Sequence, residues 1–392
     1  MKLAYKFRLY PTKEQEKKLL QTLDKCRFVY NYLLEQKSKH NLKRKELQAL
    51  LPKLKKEHSG LQSVYSKALQ YENYRLHSNI TALYQLKNNG KKIGKLRFKG
   101  KGWFKTFVYN QSGFKIIEHA TRHDTLHLSK IGDIPFVMHR EVKGEIKQVV
   151  IKHQPSGRWF VFVIAQTKEE KPKNINNKKV GIDLGLDNFA YDSDGNRFKA
   201  AKYLYNSLDK LKKEQRKLSR RKKKSKNRAK QKIKAARVHE KIVNQRDNFL
   251  HKLSRYYVDT YGFIACEDLN IKSLVKNHYL AKSITDVSWS RFTHMLQYKA
   301  ERAGIEVIKV EPKNTTQRCS HCGRLVKKSL SVRTHKCECG FIVDRDYNSA
   351  INILKKAIGQ ELSESTPVET EPLPHLGQVQ SQKQESPCES WE

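Results

Sequence analysis

The stretch VGIDLGLDNFAYDSDGN, residues 180–196, decides the fold. Val180 to Leu184 form a short apolar run that reads as a buried strand, residues 189–191 read as its neighbour, and Asp192-Ser-Asp-Gly-Asn supplies the turn region beyond. Asp183 interrupts the first run between Ile182 and Leu184. A carboxylate inside a buried strand is costly unless it is paired, hydrogen-bonded or metal-bound, and metal coordination supplies a reason for it.

A second apolar run, FIAC at 263–266, leads straight into Glu267-Asp268-Leu269-Asn270, so Glu267 sits at a strand end and meets Asp183 if the two strands are neighbours. The third acid lies in FIVDRDYNSAINILKKAIG (341–359), where a helix starts near Asp344 or Asp346. On it Asp346 shares the apolar face of Ala350, Leu354 and Ala357, whereas Asp344 lies off that face and suits an N-cap. Taken singly, each acid reads equally well as a cap or a satisfied core acid. Together, three carboxylates on two strands and a helix can hold two Mg²⁺ ions about 3.5–4 Å apart across a scissile phosphate. One ion then activates a water and the other stabilises the leaving 3′-oxygen. Asp183, Glu267 and Asp346 are the expected catalytic ligands.

Of seven cysteines, Cys319, Cys322, Cys337 and Cys339 fall within 21 positions, while Cys26, Cys266 and Cys388 are scattered. The pairs CSHC and CEC are separated by 14 residues, and Gly323 and Gly340 follow them to give the tight turns that let thiolates converge on a tetrahedral ion. Zn²⁺ is the expected occupant, in a structural role because four thiolates leave no open position. His321 and His335 are read as bystanders, and disulfides are not expected.

Charge narrows the partner. The 392 residues carry 80 Lys plus Arg against 39 Asp plus Glu, a net charge of +41 that points to a polyanion, with nucleic acid the default. The chain has no run of about 18 apolar residues, and MKLAYKFRLY lacks the apolar core of a signal peptide, so a cytoplasmic location is expected. The densest basic run, RRKKKSKNR, joins two apolar helical stripes, which are Leu204, Leu208, Leu211, Leu218 and Val238, Ile242, Phe249, Leu253, Tyr256. Arg220, Arg221, Lys222, Lys223, Lys224, Lys226 and Arg228 are therefore expected to meet phosphates from an ordered helical pair.

Towards the N-terminus, residues 1–10 alternate like a strand, and Leu19, Leu20, Leu23, Cys26 and Val29 recur at helical spacing. After Gly90 and Gly94 come short β-type runs at 106–109, 114–117, 125–128, 148–152 and 159–164. Tyr30, Asn31, Phe104, Lys105 and the Lys-rich stretch 91–101 are candidate nucleic-acid contacts. From Gly359 onward four Pro, seven Glu and a single Lys383 predict a disordered acidic tail.

The order GIDLGL, basic helical hairpin, ACEDLNI, CSHCG…CECG, DRDYNSAINI resembles the RuvC-type nuclease of TnpB, the transposon-encoded relative of type V CRISPR effectors. KFRLYPTKEQEKKL and FVYNYLLE resemble the helix-turn-helix opening of the same family, so the likeness runs to about residue 358. It implies an α+β multidomain chain. Residues 1–10 and 96–170 would form a β-rich wedge-type domain with an inserted helical recognition domain at 11–95. An RNase H-like (RuvC) α/β nuclease domain would follow at 178–311 and 341–358, including the hairpin 202–257, with a four-Cys zinc finger inserted at 312–340 and a disordered tail at 359–392.

The resemblance further implies an RNA-guided DNA endonuclease of a transposable element. Its partners would be a guide RNA made from the transposon end and a target double-stranded DNA cut beside a short flanking motif, with base pairing reading the target. Residue by residue it gives Asp183, Glu267 and Asp346 as the three RuvC carboxylates and the four cysteines as the zinc ligands. A guide-dependent repressor that does not cut, and a transposase accessory protein, are the alternatives.

Overall fold

In the computed structural model, which describes residues 2–119, 123–167, 176–329 and 332–364, the elements follow the sequence patterns closely. In chain order they are β1 (Lys2–Leu9), α1 (Lys13–His40), α2 (Arg44–Glu57), α3 (Ser66–Asn88), β2 (Thr106–Asn110), β3 (Phe114–Ile117), β4 (Asp124–Leu128), β5 (Gly132–Phe136), β6 (Glu145–His153) and β7 (Trp159–Gln166). There follow β8 (Lys179–Asp183), β9 (Asn188–Asp192), β10 (Arg197–Lys199), α4 (Tyr203–Ser219), α5 (Lys226–Thr260), β11 (Phe263–Glu267), α6 (Ile271–Leu274), α7 (His278–Val287), α8 (Trp289–Ala303), β12 (Glu306–Val310), β13 (Thr334–Lys336), β14 (Ile342–Asp344) and α9 (Arg345–Glu364). The chain divides into two compact units, residues 1–173 with 202–249, and residues 174–201 with 250–392.

The first unit is built on a seven-stranded sheet of order β2-β6-β7-β1-β5-β4-β3, antiparallel throughout. β1 lies along β7 from Lys2↔Gln166 to Leu9↔Trp159, so the first strand of the chain closes a sheet whose other strands come after the helices. α1 starts at a capping box between Thr12 and Gln15 and buries Leu19, Leu23, Cys26, Val29, Tyr30 and Leu33. Leu20, expected in that stripe, is 43% exposed instead, because it falls just outside the arc set by Leu19 and Leu23. β5 has no counterpart in the sequence reading. Pro135 disguised it, and the strand tolerates a proline because β5 meets β1 only at Leu9↔Phe136.

α4 and the first part of α5 form the basic hairpin, held by Leu211, Val238 and Ile242 with Tyr203 and Leu204 packed against them. Residues 202–249 of this hairpin group with the first unit. The reason is a set of polar ties to the β6–β7 turn: Arg158 pairs with Glu240 at 3.3 Å, and Arg237 Nε donates to the Ser156 carbonyl at 3.2 Å.

The second unit carries a five-stranded sheet of order β10-β9-β8-β11-β12, in which β8, β9 and β10 run antiparallel while β11 is parallel to both β8 and β12. α9 lies across β8, β9, β11 and β12. Its approach to β8 is so close that a Cβ at Gly181 would collide with the Ala350 carbonyl oxygen and the Leu354 nitrogen. α9 continues to Glu364, past Gly359 where the sequence reading begins its tail. Residues 365–392, including Lys383 and Cys388, lie outside the described residues. No helix among the described residues is long and apolar enough to cross a membrane.

Gly181→Ala should force α9 away from the sheet. Overpacking of this kind costs about 1–3 kcal/mol, and more where backbone must move. Thermal unfolding checks it, and an unchanged melting temperature would contradict the close packing.

Candidate active site

Parallel strands β8 and β11 are in register at Ile264↔Val180, Ala265↔Gly181 and Cys266↔Ile182, so Asp183 and Glu267 are the next residues at the carboxyl ends of neighbouring strands. Asp346 stands in the first turn of α9, the helix seated on β8. All three are buried, at 8%, 7% and 9% exposure. Asp344 accepts from the backbone N–H of Asp346 at 2.8 Å and of Tyr347 at 3.4 Å, which makes it the cap of the helix.

Burial pushes the Asp183 carboxyl well above the usual carboxylate range, and the charges of Glu267 and Asp346 push it further. Burial also raises Glu267, against a hydrogen bond from Thr315 and the charge of Lys356. Among the described residues no Lys or Arg pairs with Asp183 or Glu267. Asp346, by contrast, is paired with Arg345 at 3.1 Å and faces Arg333 at 3.6 Å, and Arg333 also grips Asp187 at 2.6 Å. Two acids with no ion-pair partner, beside a third that has two, make a donor set of hard oxygens suited to divalent ions.

The residues that orient these acids were not singled out by any sequence pattern. Thr315 Oγ1 donates to Glu267 Oε1 at 2.6 Å, and Ser349 Oγ donates to Asp183 Oδ1 at 3.2 Å. Asn352 Nδ2 donates to the carbonyls of Thr315 and Arg318, and Asn348 Nδ2 to that of Arg318, so a polar face of α9 ties down the segment that holds Thr315. The signal available was the pair Asn348 and Asn352 at helical spacing in an otherwise apolar helix.

Sγ atoms of Cys319, Cys322, Cys337 and Cys339 lie within 4.8 Å of one another, the one such group of possible metal ligands among the described residues. Cys319 and Cys339 Sγ are 3.8 Å apart, and Cys322 and Cys337 Sγ 3.5 Å. Zn–S bonds of about 2.3 Å in a tetrahedron require S···S separations of about 3.8 Å, so the cluster fits zinc. A hydrogen bond from the Arg324 backbone N–H draws the Cys322 thiol down, while hydrogen bonds among the crowded sulfurs push Cys339 up to about 12, so the four thiols share their protons unevenly. His335 is buried on β13 and His321 stacks on Phe341, outside the four-sulfur group.

The basic candidates divide. Arg220 to Lys224 and Lys226 are exposed on the hairpin turn. Arg228 turns back, and its Nη1 donates to the carbonyls of Leu218 at 2.8 Å and Arg221 at 3.2 Å, so it shapes the turn. In the first unit Tyr30 and Phe104 are buried against each other with ring centroids 5.6 Å apart, and Asn31 is engaged with the backbone of Lys99. Lys105 is exposed.

A carboxyl with a higher pKa in the folded than in the unfolded chain contributes stability only at low pH, and loses it as pH rises through the folded value. In zinc-loaded protein without Mg²⁺, Asp183→Asn is therefore expected to raise the melting temperature at pH 8, with the gain shrinking towards pH 4. No gain at pH 8 would contradict the charge crowding. Zinc chelation, or Cys322→Ala, should lower the melting temperature and release about one equivalent of zinc, which a colorimetric chelator reads directly.

Three family models match this chain. One described as "Probable transposase" covers residues 150–278, one described as "Cas12f1-like, TNB domain" covers 289–353 and spans the four cysteines, and one described as "Helix-turn-helix domain" covers 1–45. A Streptomyces pristinaespiralis protein named "Putative RNA-guided DNA endonuclease" is 32% identical over 367 residues, 90% of this chain and 89% of its own length. An Escherichia coli (strain K12) protein named "Putative RNA-guided DNA endonuclease InsQ" is 30% identical over 399 residues, 94% and 97% of the two chains. A solved complex of Cas12f1 with sgRNA and target DNA aligns with a TM-score of 0.52 at 15% identity over 87% of this chain and 83% of that one, a likeness of fold. With relatives of this identity and coverage, the chain belongs to the TnpB family of OrfB-type proteins of transposable elements.

Proposed function

We propose that this protein is a metal-dependent, RNA-guided DNA endonuclease. It holds a guide RNA from the transposon end and cuts complementary double-stranded DNA beside a short flanking motif. The observation that carries the reading is the meeting of three buried acids at the ends of β8 and β11 and the start of α9. The mixed sheet order β10-β9-β8-β11-β12 suits an RNase H-like nuclease core, and the names of the full-length relatives point the same way. A net charge of +41 suits RNA and DNA as partners.

Asp183, Glu267 and Asp346 would hold two Mg²⁺ ions, which supply an activated water and stabilise the leaving 3′-oxygen. The chain's own residues prepare that chemistry. Ser349 and Thr315 each donate a hydroxyl hydrogen bond to one carboxylate oxygen, which fixes its rotamer and leaves the other oxygen open. Burial keeps water from screening the acids, so their charge is felt at full strength by a cation. Arg345 and Arg333 hold Asp346 in place from both sides. The cysteine cluster would hold structural Zn²⁺ and pin β13 and β14, the hairpin that runs directly into α9.

The test uses the protein with a transposon-end RNA carrying a chosen guide and a matching DNA with randomised flanks. Cutting should follow the guide, require Mg²⁺ and vanish in Asp183→Ala, Glu267→Ala and Asp346→Ala. Thr315→Val should retain cutting at about 10- to 100-fold lower rate. Guide-directed binding without cutting would instead indicate a repressor, and cutting indifferent to the guide a general nuclease.

A further inference from the structure

Residues 91–105 read KKIGKLRFKGKGWFK, seven Lys or Arg and no acid. Residues 91–100 form no helix or strand, yet they are held. Asn31 clamps them from α1: its Nδ2 donates to the Lys99 carbonyl at 3.0 Å and its Oδ1 accepts from the Lys99 N–H at 2.8 Å, while Arg27 Nη1 donates to the same carbonyl at 3.3 Å. Leu96 packs on the core, and Phe104 is buried beneath the Arg75 guanidinium, 4.8 Å from ring centroid to Cζ.

Between these anchors two large rings point outward. Phe98 is 62% exposed and Trp103 69% exposed. The Lys99 ammonium lies 5.8 Å from the Trp103 ring centroid. Among the described residues, no acidic side chain forms an ion pair with Lys91, Lys92, Lys95, Arg97, Lys99 or Lys101. Leaving two aromatic rings in water on an anchored, uniformly positive strap is costly for a free surface, but it is the arrangement that receives unpaired bases. Cations track the backbone phosphates, and each ring offers a π-face to a base.

We propose that this strap is a binding site for single-stranded nucleic acid, with Phe98 and Trp103 as stacking platforms for two unpaired bases and the flanking Lys and Arg side chains as phosphate contacts. The inference rests on the nucleic-acid part of the reading above and is independent of cleavage. Within the region expected to contact nucleic acid, Asn31 and Phe104 anchor the strap from below while Phe98 and Trp103 present its binding face.

The test is binding of the zinc-loaded full chain, in buffer without Mg²⁺ so that no strand is cut, to fluorescent single-stranded RNA and DNA and to abasic strands of the same length. Phe98→Ala and Trp103→Ala should each weaken binding of base-bearing strands about five- to 150-fold, leave abasic strands unaffected and leave the salt dependence unchanged. Trp103→Phe should restore most of the loss, and Lys95→Ala with Arg97→Ala should flatten the salt dependence for both kinds of strand. The strand type that loses more affinity on ring removal identifies whether RNA or DNA bases occupy the site. Equal losses on base-bearing and abasic strands, or no loss on either, would overturn the proposal. Because nothing is cut in this assay, its outcome is independent of whether Asp183→Ala abolishes cleavage.

Discussion

Backbone contact between α9 and β8 at Gly181 is the constraint on which the second unit depends. Helices pack on sheets through side chains and normally stand off by the length of those chains. Here Ala350 and the missing side chain of Gly181 let the helix backbone settle onto the strand. That closeness draws the first turn of α9 towards the end of β8, so that an acid on the helix acts electrostatically on an acid of the strand. The parallel register of β8 and β11 then sets Glu267 beside Asp183 without any contribution from the helix.

Bringing like charges together under burial works against folding, and the surrounding polar groups divide the task of offsetting it. Asp346 receives two guanidinium groups. Asp183 and Glu267 form no ion pair; each accepts a hydroxyl hydrogen bond, which orients an oxygen without neutralising it, and feels Arg345 or Lys356 only from further off. The asymmetry leaves the centre with an excess of negative charge that a divalent cation would relieve, and burial raises the Asp183 and Glu267 carboxyls, with like charge adding to it at Asp183. The buried amides Asn348 and Asn352 extend the same helix into the segment 315–320, so Thr315 and the first cysteine pair are positioned from α9 as well.

What could be read in the sequence was whatever a local pattern carries. Asp183 and Glu267 stood out because apolar runs flank them, the cysteines because of their spacing, and most strands because their β-type residues come in short bounded runs. β5 was hidden by Pro135, whose harm depends on which neighbour the strand has. Thr315, Ser349 and Arg333 were hidden because a single polar residue has no period, and its partner is fixed only by the fold. Two of the N-terminal candidates, Tyr30 and Phe104, lie buried. Tyr30 lies four residues from Cys26 and seven from Leu23, so helical periodicity already placed it inside, yet aromatic and polar identity drew it towards a surface role. The exposed rings, Phe98 and Trp103, sit in a stretch with no periodicity at all.

The central claim is that Asp183, Glu267 and Asp346 form one divalent-cation centre. The most direct measurement is anomalous scattering from crystals of the protein grown with Mn²⁺ in place of Mg²⁺. Two Mn²⁺ peaks, each ligated by at least one of these three carboxylates, are the predicted result. Mn²⁺ bound only elsewhere, or an Asp346 still held by Arg345 and Arg333 with no ion beside Asp183 at saturating Mn²⁺, would contradict the account.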